Sequence, residues 1–232
     1  AMKAVLSVLP DLPVDTLHDL VLAGRFDTRR DLVRYPTEKL EGMGFAVLGF
    51  GNIGAEVARL AQAFGMRVGV YARPRHRERI EAAGFRYAET PEAAAQGARV
   101  LSVHVGLGPV DAAGRAANAG LVGEAVLAAL APSAVVVNYD RGEVVDVPAL
   151  FAAMQSGQVR HGFIDADLFL DAEGQPFGSL APYLEPARQL QGRLRLLPHV
   201  AADTDHPSRV EGAIRAVDQI LDAITNRRVR NL

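Results

Sequence analysis

The run that points most clearly to a chemical function is glycine-rich: Gly49-Phe50-Gly51-Asn52-Ile53-Gly54. It follows an apolar strand-like stretch and opens a helical pattern, the setting in which G-x-G-x-x-G binds a dinucleotide. The first glycine allows a tight turn, the second lets the backbone approach the pyrophosphate, and the third permits close packing of helix on strand. The helix start, at Asn52 and Ile53, supplies unpaired N–H groups for phosphates. The run predicts cofactor binding, although such a turn can also be purely structural.

A second run, at the end of the next strand, bears on which dinucleotide binds. Tyr71-Ala72-Arg73-Pro74-Arg75-His76-Arg77 contains three arginines and no carboxylate. An NAD site places an acidic residue here for the ribose 2′-OH, whereas an NADP site uses arginine for the 2′-phosphate. Arg73 and Arg75 could grip that phosphate through their guanidinium groups. The sequence therefore favours NADP, with NAD as second choice, and a solvated basic turn is the alternative.

Polar side chains also stand at the ends of later strand-like runs. They are His104, Asn138, Arg141, Asp165 and His199. In an open α/β sheet the ligand crevice lies outside the carboxyl ends of the strands, so residues there converge although they are distant in sequence. Taken singly, a strand-end histidine or an Arg-Gly pair is commonly structural. Their joint placement predicts one site.

Strand-like and helical patterns alternate from about residue 44 onward. The apolar runs are Gly44–Leu48, Met66–Tyr71, Arg99–Val105, Ala134–Asn138, Gly162–Asp165 and Leu194–Leu197. Such alternation is typical of βαβ units. The fold class is therefore predicted as α/β, a Rossmann-type doubly wound parallel sheet with helices on both faces.

The helical patterns complete the predicted organisation. An apolar stripe, Ile53, Val57, Leu60, Ala61 and Phe64, is expected to pack on the sheet. We divide the chain into an N-terminal helical segment (1–41), a dinucleotide-binding domain (42–204) and a C-terminal helix (205–232). That last helix carries apolar residues on one face and is expected to pack on the core. The first segment is too short for a second α/β domain.

Composition excludes several classes of protein. The 232 residues are 49% hydrophobic and 22% charged, as in a globular protein. A net charge of −2 without a basic block argues against nucleic acid binding. The sequence contains no H-E-x-x-H motif, so metal binding has no support from ligand spacing. The absence of cysteine excludes disulfides and cysteine nucleophiles. The first apolar run ends at Pro10, too early for a signal peptide or membrane span, so we expect a cytoplasmic protein.

Four segments in order resemble one enzyme family. They are Gly49–Gly54, Ser102–Val105, Asn138–Asp146 and Pro198–Thr204. From Gly42 to about Ala202 the chain looks like the cofactor domain of the D-isomer-specific 2-hydroxyacid dehydrogenases, which include glyoxylate/hydroxypyruvate reductases. The run from Tyr71 to Arg75 also resembles members that prefer NADP.

The resemblance implies roles for the strand-end residues. Arg141 would bind and polarise a small 2-keto acid, and His199 would donate the proton. Asp165 would lie near the nicotinamide, and His104 and Val105 would contact the cofactor. The chemistry agrees, because hydride delivery to a carbonyl leaves negative charge on oxygen, which a guanidinium stabilises and an imidazolium neutralises.

The sequence departs from the family at two acidic positions. The family places a glutamate behind the histidine, but the matching position here is Leu170. Asp171 is adjacent, so we expect a shifted loop to let Asp171 orient His199, although a solvated loop acid is the alternative. Asp140 precedes Arg141, where the family has a small residue, and could pair with that arginine.

The family's separate substrate domain has no counterpart in this sequence. The chain is therefore either a piece of a longer protein or a shortened relative. Three functions stay open. The first is an NADP(H)-dependent oxidoreductase acting on a 2-keto or 2-hydroxy acid, the second is a dinucleotide-binding module without turnover, and the third is an α/β domain that binds a phosphate or a sugar and no dinucleotide. By analogy with the family we expect a homodimer, for which the Ala-rich segment Ala112–Ala131 offers apolar surface.

Overall fold

A seven-stranded parallel sheet organises the chain. The computed structural model describes residues 1–10, 12–200 and 206–227. The sheet strands are β1 (Gly44–Leu48), β2 (Arg67–Tyr71), β3 (Arg86–Ala88), β4 (Val100–Val103), β5 (Ala134–Asn138), β6 (Val159–Asp165) and β9 (Leu194–Leu197), and a separate antiparallel hairpin joins β7 (Phe169–Leu170) to β8 (Pro176–Phe177). The order β3-β2-β1-β4-β5-β6-β9 confirms the predicted doubly wound sheet.

The described residues form ten α-helices, several of which cover the two faces of this sheet. They are α1 (Met2–Leu6), α2 (Val14–Leu22), α3 (Thr28–Asp31), α4 (Asn52–Ala63), α5 (Arg77–Ala82), α6 (Pro91–Ala95), α7 (Glu124–Ala129), α8 (Val147–Gln155), α9 (Leu184–Gln189) and α10 (His206–Asn226). One apolar layer includes Leu127 and Leu150, and the other includes Ala58 and Ile80. The strand β5 is buried along its whole length, because helices cover it on both sides.

The helix α4 packs through part of the predicted stripe, since Val57 and Ala61 are buried. Its buried residues are Gly54, Val57, Ala58 and Ala61. Ile53 is 63% exposed and Phe64 is 44% exposed, so the expectation that these two contact the sheet is wrong. Small residues at 54, 58 and 61 let the helix lie close to the sheet, and this turns the bulky end residues outward.

The C-terminal helix α10 forms as predicted but does not pack on the core. Its apolar residues are 43 to 73% exposed: Val210, Ile214, Val217, Ile220, Leu221 and Ile224. The expected burial is therefore wrong. An amphipathic pattern predicts that the apolar face of a helix is buried, but it does not identify the surface against which that face packs. Within the described ranges, no helix is both long and apolar enough to cross a membrane.

Candidate active site

The glycine-rich turn between β1 and α4 leaves open space at its middle glycine. A Cβ at Gly49, whose φ is +98°, would lie 2.1 Å from the carbonyl oxygen of His104. A Cβ at Gly54 would lie 2.2 Å from the carbonyl oxygen of Gly49. Both positions therefore require glycine for packing. At Gly51 a Cβ would meet nothing within 4 Å, so the surface there is accessible to a ligand.

The first turn of α4 faces this open surface. Gly51 is the N-cap residue and has no side chain to accept a hydrogen bond from the helix start. Asn52 and Ile53 are exposed. Because the first N–H groups of a helix lack intrahelical acceptors, this turn offers donors and a positive dipole end to an anion. The cradle fits the pyrophosphate of a dinucleotide.

His104 and Val105 lie beneath the glycine-rich turn. The Oγ of Ser102 and the Nε2 of His104 are 2.8 Å apart, and burial lowers the pKa of His104 to about 4. The imidazole is thus neutral at physiological pH and supports the turn without adding charge. Cγ1 of Val105 would be 3.0 Å from a Cβ at Gly49. These two residues shape the floor of the cradle.

Arg73 and Arg75 follow β2 and are both exposed. In the part of the chain that the structure describes, neither side chain has a hydrogen bond or an ion pair. Arg77 differs, since it pairs with Glu81 at 3.0 Å and lies over the ring of Tyr87. Two of the three arginines therefore remain available to an anion at the end of β2.

The loop after β5 holds Arg141 in a defined position. The buried Asn138 donates from Nδ2 to the carbonyl of Arg141 and accepts from the N–H of Asp140. The hydroxyl of Tyr183 donates to the carbonyl of Gly142 at 2.6 Å. A Cβ at Gly142 would lie 2.8 Å from the carbonyl oxygen of Ser179, so glycine is required after the arginine. Sequence reasoning missed Tyr183, because the contact spans 41 residues of chain.

His199 stands at the end of β9 in an unusual backbone conformation. Its φ is +56°, which is uncommon for a residue other than glycine. The Oδ1 of Asp165 accepts the N–H of Val200 at 2.9 Å and so fixes this turn. Asp165 is only 2% exposed. It therefore holds the histidine-bearing turn through this hydrogen bond, and its expected place near the nicotinamide stays a prediction.

The carboxylate beside His199 belongs to Asp167. Its Oδ1 lies 2.7 Å from Nδ1 of His199, and its Oδ2 lies 3.9 Å from Nη1 of Arg141. The expected partner, Asp171, instead accepts from the N–H groups of Glu173 and Gln175 within the β7–β8 turn. The expectation that Asp171 orients His199 is therefore wrong. The sequence did contain a signal for Asp167 as the partner of His199. Asp167 follows Asp165 by two residues, which is the spacing of side chains on one face of a strand.

Asp140 lies close to the same group of side chains. Burial raises the pKa of the Asp140 carboxyl, while the positive charges of Arg141 and His199 lower it. The described ion pair of Arg141 is nevertheless with Asp167 and not with Asp140. Two acids and two bases thus meet at the carboxyl edge of β5, β6 and β9. Among the described residues, no group of three histidine, cysteine or acidic side chains could hold a metal ion.

A parallel sheet in this order, with an open glycine-rich turn after its first strand, defines a Rossmann-type dinucleotide-binding domain. Residues 13–191 match the family description "D-isomer specific 2-hydroxyacid dehydrogenase, NAD binding domain". The chain belongs to this family.

Named relatives agree with this assignment. The chain is 30% identical to a glyoxylate reductase of Thermococcus litoralis over 79% of its own length and 49% of that protein. It is 28% identical to glyoxylate/hydroxypyruvate reductase B of Salmonella agona, over 100% of this chain and 71% of the relative. A D-lactate dehydrogenase from Aquifex aeolicus, complexed with NAD and lactic acid, superposes with a TM-score of 0.67 at 23% identity, covering 97% of this chain and 64% of that one. The chain spans about half the length of the first curated relatives.

Proposed function

We propose that this chain carries the cofactor-binding and proton-donating parts of an NADP(H)-dependent oxidoreductase acting on a small 2-keto or 2-hydroxy acid. The observation that carries the proposal is the contact of Asp167 with His199, with Arg141 beside them at the carboxyl edge of the sheet. Relatives are named glyoxylate reductase and hydroxypyruvate reductase. A dinucleotide whose pyrophosphate lies on the glycine-rich turn would supply the hydride from its nicotinamide.

The guanidinium of Arg141 is the group that receives the substrate. Its side chain is 51% exposed, and its separation of 3.9 Å from Asp167 is loose for an ion pair. A substrate carboxylate can therefore take the open donors of the guanidinium bidentately. The same positive charge stabilises the oxygen that becomes negative as the carbonyl is reduced.

The imidazole of His199 is the group that moves the proton. Because Nδ1 is engaged by Asp167, the protonated ring presents its Nε2–H to the substrate oxygen. When that proton leaves, the remaining N–H stays on Nδ1 and donates to Asp167. The carboxylate thereby fixes the ring orientation and the tautomer that follows each transfer.

NADP is the proposed form of the cofactor. The unpaired guanidinium groups of Arg73 and Arg75 after β2 support this choice, because a 2′-phosphate takes charge-assisted hydrogen bonds from such groups. The run from Tyr71 to Arg77 has no carboxylate that would accept a ribose 2′-OH.

A dinucleotide-binding module without turnover is the second candidate. The observation in its favour is the acid Asp140, whose charge interacts with those of Arg141 and His199 and can offset the charge meant for a substrate carboxylate. An assay of NADPH and NADH oxidation with glyoxylate, hydroxypyruvate, pyruvate and phenylpyruvate separates the two. Turnover that Arg141→Ala or His199→Ala reduces at least a hundredfold supports the enzyme. NADPH binding without oxidation of any substrate supports the module.

Self-association as a homodimer is part of this proposal, and α10 offers a more apolar surface for it than the expected segment Ala112–Ala131 does. In that segment Val126 and Leu127 are buried in the core. The apolar residues of α10 offer more exposed surface: Val210, Ile214, Val217, Leu221 and Ile224. They recur four and three residues apart, which is the spacing of a seam between two helices. A second α10 matches this seam in length and spacing.

A further inference from the structure

We infer that the β7–β8 hairpin gives the site a preference for 2-keto acids with a bulky apolar side chain, aromatic ones above all. Phe169 lies directly opposite Phe177 in this hairpin. Their ring centroids are 5.4 Å apart at an interplanar angle of 37°. The inference rests on the proposed function, and it adds the substrate class, which that proposal leaves open.

The aromatic pair lies close to Asp167, the residue whose carboxylate contacts His199. Asp167 precedes Phe169 by two residues in the chain. Gly178 of the hairpin packs closely against both residues. A Cβ at Gly178 would lie 2.7 Å from the carbonyl oxygen of Asp167 and 3.3 Å from Cδ2 of Phe169. The N–H of Leu180 donates to that same carbonyl. The ring of Phe169 is therefore held near the backbone of Asp167, on the segment that carries the acid in contact with His199.

The two rings have apolar surface left for a ligand. Phe169 is 52% exposed and Phe177 is 51% exposed, although each packs against the other. Large aromatic side chains contribute most when a second apolar group covers them, and a third ring can stack or tilt against such a pair. A substrate held by Arg141 and protonated by His199 would project its side chain from a point adjacent to these rings.

A 2-keto acid with a short side chain makes little apolar contact with the Phe169–Phe177 pair. Glyoxylate has no side chain, and the side chain of pyruvate is a single methyl group. Phenylpyruvate places a benzyl group where the Phe169–Phe177 pair is exposed. The observations therefore favour an arylalkyl 2-keto acid over the small acids that the named relatives suggest.

The test compares kcat/KM for phenylpyruvate and for pyruvate with the 232-residue chain. We expect phenylpyruvate to be preferred at least tenfold, and Phe169→Ala to lower that ratio about tenfold. Phe169→Tyr, which keeps the ring, should retain most of the preference. Phe64→Ala removes a similarly exposed ring at the end of α4 and should leave the ratio unchanged. A ratio that Phe169→Ala does not lower would overturn the inference while leaving the proposed function intact.

A binding measurement covers the case in which no acid is turned over. Saturation transfer from the protein to the ring protons of phenylpyruvate, recorded by NMR with NADP⁺ present, reports contact without chemistry. Transfer that Phe169→Ala abolishes and Phe64→Ala preserves supports the aromatic site even if the oxidoreductase proposal fails. Absence of transfer in the unmodified chain overturns the aromatic site.

Discussion

Nδ1 of His199 lies 2.7 Å from Oδ1 of Asp167, although these residues are 32 positions apart in the chain. The other oxygen of the same carboxylate lies 3.9 Å from Nη1 of Arg141. One acid thus contacts both groups to which the proposed chemistry assigns a role. It comes from the segment after β6, two residues beyond the acid that anchors the turn of His199.

Replacing Asp167 with asparagine should lower kcat more than it raises KM. The amide keeps the size of the side chain but cannot hold a protonated imidazole by charge, so proton delivery suffers. General acid–base groups contribute about 10²- to 10⁴-fold to rate, and loss of their orientation should cost about 10- to 100-fold. The measurement is the steady-state rate of NADPH oxidation, with the pH profile of kcat/KM recorded for both proteins.

Asp171→Asn is the matched control, since Asp171 closes the β7–β8 turn through the N–H groups of Glu173 and Gln175. It should leave the rate within about twofold. Asp167→Glu should recover part of the loss, because a carboxylate is restored. If Asp171→Asn were the more damaging change, the assignment of Asp167 would be abandoned.

The glycines of the cofactor turn should separate folding from binding. Gly51→Ala adds a methyl group into open space, so the protein should fold normally while the methyl obstructs the pyrophosphate and weakens NADPH binding at least tenfold. Gly54→Ala forces a Cβ to within 2.2 Å of the Gly49 carbonyl and should lower the melting temperature. Thermal unfolding and NADPH titration of both variants make the comparison. Equal NADPH affinity in Gly51→Ala and the parent would contradict the proposed cofactor position.

The sequence was sufficient for six of the seven sheet strands, and it was insufficient for the edge strand β3 and the β7–β8 hairpin. The strands β1, β4 and β5 are buried on both faces and stand out as continuous apolar runs. The edge strand Arg86–Ala88 has three residues, and the β7–β8 hairpin has two in each strand, so neither carries enough periodicity to be recognised. The burial of α10 was predicted wrongly because an amphipathic pattern does not identify its partner.

For the site, strand-end positions were predictable and side-chain pairings were not. Arg141 and His199 follow from their places after β5 and β9, because parallel strands end at one edge. The partner of His199 depends on how the chain turns after β6, which is fixed by tertiary contacts of Gly178 and Leu180 with the backbone of Asp167. Alignment with the family pattern placed the partner of His199 at Leu170 or the adjacent Asp171, because such an alignment assumes that the loop after β6 keeps the same conformation.

The arginines after β2 should discriminate between the two forms of the cofactor. Arg73→Gln with Arg75→Gln removes two unpaired guanidinium groups and should weaken NADPH binding 10- to 100-fold, as expected for charge-assisted hydrogen bonds of about 1.5 to 3 kcal/mol. Binding of NADH should change less than threefold. Arg59→Gln, at an exposed arginine paired with Glu56 on α4, controls for the loss of positive charge. Equal weakening of NADPH and NADH would remove the support for a 2′-phosphate site.

The apolar seam of α10 predicts a dimer that a single charge disrupts. Ile214→Glu places a carboxylate in the middle of the exposed stripe and should raise the dimer dissociation constant at least tenfold, because burial of one large apolar side chain contributes about 1.5 to 3 kcal/mol. Gln219→Glu adds the same charge outside the stripe and should change that constant less than twofold. Light scattering over a range of protein concentrations measures both. A chain that stays monomeric throughout would refute this interface.

His104 should make the folded protein sensitive to mild acid. Its folded pKa is lowered by burial to about 4, below its usual value of 6.5, so the unfolded chain binds more protons between these pH values. Stability is therefore lost as pH falls from about 6.5 to about 4, by roughly 3 kcal/mol at most from this residue. His104→Gln keeps a polar partner for Ser102 and cannot titrate, so its unfolding free energy in urea should fall less steeply over this range. His18→Gln, at an exposed position of α2, should follow the parent curve. Parallel curves for His104→Gln and the parent would mean that the imidazole is not neutral beneath the glycine-rich turn.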